Sequence, residues 1–158
     1  MVVAVTGHRP NKMYGYNLSD ERYIKIKNDM KQFLIEKKCT VGISGMALGI
    51  DQLFALAIIE LKEEGYDIQL WCAIPCRNHS CKWPKHAQEL YQKILERADK
   101  VVYVSEENYA PYLMQKRNEW MVDRMDELLA IYNGTPGGTK NCIDYAKKLG
   151  KPITIICP

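Results

Sequence analysis

No stretch of this chain is apolar for long enough to span a bilayer, none carries a dense block of lysine and arginine, and none is repetitive or of low complexity. The first absence excludes a transmembrane helix, which needs about 20 predominantly apolar residues. The second removes the electrostatic footprint of a dedicated nucleic-acid binder, since the net charge of +3 is scattered along the chain. Small anionic ligands stay open. The opening run from Met1 to Gly7 has no basic n-region and no cleavage signal; it reads as a first strand, and a cytoplasmic location is expected. The glycine-rich loops also lack the lysine-serine/threonine ending of a P-loop, which argues against Walker-type ATP hydrolysis.

What is present has the proportions of an ordinary globular protein: 158 residues, 47% apolar and 26% charged. That length predicts one domain over residues 1–158. Six cysteines could suggest disulfides, but four stand in or beside apolar strand-like segments, where a free thiol behaves as a small hydrophobe. Reduced thiols are expected. Cys76, His79, Cys81 and His86 are metal-ligating types, yet their cramped spacing matches no common structural zinc site, so no metal is expected.

Runs at Val2 to Thr6, Thr40 to Ser44, Asp67 to Ile74, Lys100 to Ser105, Glu127 to Tyr132 and Pro152 to Cys157 read as strands. Helical spacing joins Tyr23, Ile26, Met30, Phe33 and Leu34 behind Ser19 as N-cap. Further helices are predicted over Ile50 to Glu63, Pro84 to Ala98, Tyr112 to Arg124 and Thr139 to Leu149. Strict alternation with short connections implies an α/β, Rossmann-like, doubly wound fold: a mainly parallel sheet of about six strands with helices on both faces. Loops leaving the carboxyl ends of such strands share one edge, where these folds bind ligands.

The glycine-bearing loops all fall at that edge. Gly134-Thr-Pro-Gly-Gly-Thr139 can present backbone N–H groups at a helix start to an anion, with the Thr135 and Thr139 hydroxyls adding donors; its plainer reading is a strand-to-helix turn with a threonine cap. Ser44-Gly-Met-Ala-Leu-Gly-Ile-Asp51 is a second such turn, in which Gly45 and Gly49 permit close approach. Asp51 there either orients a ribose hydroxyl or simply favours the helix dipole. His8 and Arg9 follow the first strand directly, and Arg9 can fork onto a phosphate or carboxylate or merely fix its loop. Arg117 and Glu119 stand on a helix whose apolar side holds Leu113, Met114, Trp120 and Met121, where an arginine more often faces solvent.

Several of these segments resemble a known superfamily. Ser44 to Asp51 is similar to the Ser-Gly-x-Ala-x-Gly-Ile-Asp signature of the DNA-processing protein A (Smf) family. Met114-Gln-Lys-Arg117 to Met121, with Pro136-Gly-Gly138, resembles two motifs of the Lonely Guy phosphoribohydrolases. Together they point to the SLOG superfamily. Thr6-Gly-His-Arg9, Ile74-Pro-Cys76, Trp83, Ala98-Asp99 and the Asn133-Gly-Thr stretch look most like its YpsA-type (DUF1273) branch.

The resemblance implies a Rossmann-like domain that binds, for sensing or sequestration, a nucleotide or nucleotide-derived signal such as an ADP-ribose-like or cyclic nucleotide, in signalling or defence. No separate cofactor is implied. The candidate ligand-binding residues are Gly7, His8, Arg9, Ser44, Gly45, Gly49, Asp51, Arg117, Gly134, Thr135, Gly137, Gly138 and Thr139. The alternative is a Lonely Guy-like hydrolysis of the N-glycosidic bond of a nucleoside 5′-monophosphate, with Arg117 and Glu119 as catalytic candidates. Arg117 falls on the arginine of those enzymes, but Cys142 falls on their glutamate, which leaves Glu119 or Asp51 to substitute. Single-stranded DNA binding is a lesser alternative, which the near-neutral charge opposes. A homodimer is expected, with Trp120, Met121 and Met125 suited to its seam.

Overall fold

In the computed structural model, which describes residues 1–158, strands and helices alternate along the whole chain. The strands are β1 (Val2–Gly7), β2 (Val41–Ser44), β3 (Gln69–Ile74), β4 (Lys100–Tyr103), β5 (Glu127–Ile131) and β6 (Ile153–Ile156). The helices are α1 (Glu21–Glu36), α2 (Ile50–Glu63), α3 (Lys85–Arg97), α4 (Tyr112–Arg124) and α5 (Gly138–Lys148), and a short 3-10 turn covers Pro10–Lys12. All strand pairs are parallel, in the order β4-β3-β2-β1-β5-β6, with Val5 opposite Leu129 and Ser44 opposite Cys72. This is the doubly wound, Rossmann-like sheet that the alternation predicts.

Side-chain alternation along each strand divides the core in two. Val3, Val5, Leu70, Cys72, Leu129 and Ile131 pack toward the buried stripes of α1, α2 and α3. Ala4, Ile43, Ala73, Leu128 and Ala130 face Met121, Val122, Cys142 and Ile143 of α4 and α5. The first three helices follow the strands outward from β1 to β4, and the chain then crosses back to lay β5 against the other side of β1. The winding direction therefore reverses between β1 and β5, and a crevice opens beyond their carboxyl ends.

Local differences from the sequence reading have physical causes. The N-cap of α1 is Asp20, not Ser19: Asp20 accepts the Arg22 N–H at 2.9 Å, while the Ser19 N–H is taken up by the Asn17 side chain. The strand expected through Ser105 ends at Tyr103, because the Ser105 hydroxyl accepts the Glu107 N–H at 3.0 Å and turns the chain. Helix α5 starts at Gly138 behind Gly137, whose φ of +143° is open to glycine, so no threonine caps it. Met121 and Met125, suited by sequence to a subunit seam, are buried in this chain's own core. All six cysteines are free, four of them buried.

Gly7 ends β1 directly against Ile50 of α2. A Cβ built there would stand 2.3 Å from Cγ2 and 2.5 Å from Cβ of Ile50, a β-branched side chain with little rotameric freedom. At Gly42 the nearest atom is Cδ1 of Ile58, the movable end of its side chain. Gly7→Ala is expected to cost about 1–3 kcal/mol of stability through overpacking, and Gly42→Ala less. Urea unfolding midpoints at constant slope test that order.

Candidate functional site

At the β1/β5 crevice lies a pocket of about 360 Å³. Thr6 and Gly7 close its base, His8, Arg9, Asn11 and Lys12 come from the loop after β1, and Ala47 and Asp51 from the turn into α2. Arg117 and Asn118 of α4, and Gly138 and Thr139 from the first turn of α5, complete the wall. Three basic side chains thus meet a helix N-terminus around a single carboxylate.

Arg117 is only 4% exposed. It fits because residue 45 has no side chain: a Cβ there would lie 2.5 Å from Nη1 and 2.7 Å from Cζ. Nη1 donates to the Gly45 carbonyl and Nε donates to Asn118 Oδ1 at 3.0 Å. No carboxylate approaches within the 4.0 Å of an ion pair, and Nη2 makes no hydrogen bond to the chain. A buried guanidinium held by neutral acceptors retains donors for an anion.

Asp51 is buried on the same floor. Its Oδ2 accepts the Ala47 N–H at 3.1 Å, and its carbonyl accepts from the Ser44 hydroxyl at 2.7 Å. Ser44 Oγ in turn accepts the Met46 N–H at 3.2 Å, holding Met46 at a φ of +59° that non-glycine residues seldom adopt. Burial pushes the Asp51 carboxyl above the ordinary aspartate range, and the charge of Arg117 opposes that shift.

The loops after β1 and β5 are tied across the mouth. Lys12 Nζ donates to the Pro136 carbonyl at 2.7 Å and passes 3.2 Å from where a Cβ of Gly137 would stand. His8 Nε2 accepts the Asn133 N–H at 3.1 Å, with its ring against Tyr132. The carbonyls of Gly45 and Pro136, which would otherwise repel an anion, each face a cation of the chain.

Of the residues that the sequence singles out, Gly7, His8, Arg9, Asp51, Arg117, Gly138 and Thr139 come together at this pocket. Ser44, Gly45 and Gly49 lie outside the lining: Ser44 fixes the turn, Gly45 clears Arg117, and Gly49, at φ +88°, packs beside Pro10. Gly134, Thr135 and Gly137 are on an exposed loop, where the Thr135 hydroxyl is bound at 2.6 Å by Asn133 Oδ1. Glu119 is two residues from Arg117, about 200° round the helix; it does not line the pocket, and its charge acts on Tyr145 of α5. Cys142, at the Lonely Guy glutamate position, is buried with its thiol pushed up to about 12 by burial, so it supplies no anion. No three of Cys76, His79, Cys81 and His86 converge as metal ligands. Met114, which opens the motif around Arg117, also lines the pocket, as do Asn11, Lys12 and Asn118, which do not stand out in the sequence; Pro10 at a helix N1 position is the available signal for the turn that carries Lys12.

Residues 3–156 match the YspA SLOG family (YpsA). The chain belongs to this family. It is 33% identical over 117 residues to the SPbeta prophage-derived protein YoqJ of Bacillus subtilis, covering 67% of this chain and 68% of YoqJ. It is 28% identical over 157 residues to a UPF0398 protein of Bacillus thuringiensis, covering 95% of this chain and 84% of that one. The fold is similar to DNA processing protein A of Helicobacter pylori, described for its single-stranded DNA binding mode, with a TM-score of 0.70 at 16% identity. The Streptococcus pneumoniae protein of the same name gives 0.69 at 17% identity. The SLOG chain spans 66% and 50% of those two proteins.

Two imidazoles of this SLOG protein, that of buried His8 and that of half-buried His79, make its stability pH-dependent. His8 is held below the ordinary histidine range by burial and by the Lys12 charge, and His79, edge-on to Trp83 and Tyr91, is held down to about 3 chiefly by burial. In the unfolded chain both titrate near 6.5. Stability is therefore full above that pH and falls on acidification, because the unfolded chain takes up the protons first. His79 alone is expected to remove ~2 kcal/mol between pH 6.5 and 5. Urea unfolding across that range should show the slope reduced in His79→Phe and, by a smaller amount, in His8→Gln.

Proposed function

We propose that this SLOG chain binds a nucleotide-derived small molecule through its phosphate. The observation that carries the reading is the buried guanidinium of Arg117, which has no carboxylate partner and stands in one pocket with Arg9, Lys12 and the α5 N-terminus. A phosphate there gains charge-assisted hydrogen bonds from side chains and from the backbone at Gly138 and Thr139. Asp51, with Oδ1 unused by the chain, is placed to accept from a ribose hydroxyl.

Binding without hydrolysis is favoured over N-glycosidic cleavage because the one carboxylate on the pocket, Asp51, is the group assigned to the ribose hydroxyl, while Glu119 lies off the pocket and Cys142 supplies no anion, which leaves no second acidic group for the sugar centre. A hydrolase of this kind uses an acidic group to stabilise the sugar centre as well as groups that hold the phosphate. Single-stranded DNA, bound by the Helicobacter pylori neighbour, would need a groove with several stacking side chains and strong salt dependence. The near-neutral charge of this chain argues for the compact ligand.

Calorimetry against AMP, ADP-ribose, NAD and a cyclic dinucleotide is expected to find binding to at least one. Arg9→Ala should weaken it about 10- to 100-fold, the worth of a charge-assisted contact. Gly45→Ala should weaken it comparably, by displacing Arg117 without removing a charge. Chromatography of incubated nucleoside 5′-monophosphates is expected to find no free base. No binding by any of the four compounds would end the proposal; free base would replace binding with hydrolysis, and a salt-dependent gel shift with single-stranded DNA in place of nucleotide binding would favour the DNA reading.

A further inference from the structure

A second cavity, of about 530 Å³, adjoins the first, with Arg9 and Met114 common to both walls. Its other side is built from the loops after β3 and β4 and includes His79, Trp83 and Tyr109. Bonds between those two loops set its shape: the Tyr109 N–H donates to Asn78 Oδ1 at 2.7 Å, and the Arg77 N–H donates to the Glu107 carbonyl at 3.0 Å. Trp83 is held edge-on by Tyr91, ring centres 5.2 Å apart, and by His79 at 4.9 Å. Thus the tryptophan is already oriented before any ligand arrives.

Both ring nitrogens of His79 are buried and bond to nothing in the chain. Such groups nearly always have a partner, and leaving one without costs about 1–3 kcal/mol. The imidazole is neutral at physiological pH, so it offers one donor and one acceptor. Nothing acidic lines this cavity, and its cations are Arg9 and Lys82. Between β1 and the β3/β4 loops lie two to three strand spacings, roughly 10–15 Å, which suits an extended nucleotide more than a lone phosphate.

We infer that the cavity under Trp83 and Tyr109 is the base subsite of the same ligand, taking a planar heteroaromatic base that reaches past Arg9 from the anion pocket. Trp83 and Tyr109 supply the stacking surface, and His79, turning about its Cβ–Cγ bond, supplies a hydrogen bond to the base edge. The inference rests on the anion-pocket reading and adds which part of the ligand confers selectivity.

Calorimetry with AMP and with ribose 5-phosphate separates the two. AMP should bind about tenfold tighter, the increment of one stacked base. Trp83→Leu should erase that difference and leave ribose 5-phosphate affinity unchanged, whereas Arg9→Ala should weaken both. Trp83→Phe, which keeps the packing on Tyr91, should retain most of the AMP preference and lose the tryptophan fluorescence quenching that AMP produces in the parent. His79→Phe should keep stacking and flatten the preference among adenosine, guanosine, cytidine and uridine monophosphates. Equal affinity for AMP and ribose 5-phosphate in the parent, or an equal loss for both in Trp83→Leu, overturns the base subsite alone. Failure of both probes while ADP-ribose, NAD or the cyclic dinucleotide binds also overturns the base subsite alone; failure of all five compounds overturns the anion pocket and the base subsite with it.

Discussion

A guanidinium taken out of water keeps its charge, and the chain must then solvate it with its own dipoles or leave it facing a counter-ion. Arg117 is in that position. The missing side chain at Gly45 makes the space, the Gly45 carbonyl and the Asn118 amide oxygen take two of its donors, and Asp51 contributes opposing charge from beyond ion-pair distance. Much of the carboxyl edge follows from seating this one group. The Ser44 hydroxyl and the left-handed Met46 shape the turn around it, and Asp51 braces that turn from the start of α2.

The sheet supplies the rigidity that such a site needs. The inner parallel strands, buried on both faces, fix where their loops leave, and the reversal of winding between β1 and β5 parts those loops enough to leave a pocket. Lys12 and His8 then bridge those loops, so the crevice is braced from both strands. The buried, neutral His8 is part of that brace, which couples the shape of the mouth to protonation.

Much of the architecture was legible before any coordinates. Helices α2 and α4 have the bounds that their apolar spacing predicts, because a stripe repeating at helical period has only one way to be buried. The site was legible in part. Arg9, Asp51, Arg117, Gly138 and Thr139 stood out by type and by position at strand ends, and they share a pocket. The sequence marks Gly45 and Gly137 as places of close approach to phosphate, and in the structure the space they leave also admits cations of the chain, Arg117 and Lys12. A glycine in a sequence announces close approach without naming what approaches.

The sequence by itself determined the alternation of strands and helices, the parallel sheet and the edge on which a ligand would be met, since these follow from periodicity and from the handedness of crossovers. Tertiary structure alone decided that Arg117 is buried without a carboxylate partner, and that Lys12 and His8 tie loops more than 120 residues apart. It also decided that His79 and Trp83 share a cavity with Arg9. Local patterns record which face of each element is apolar; which side chains end up sharing a cavity depends on strand order, and that order is set by the packing of the entire chain.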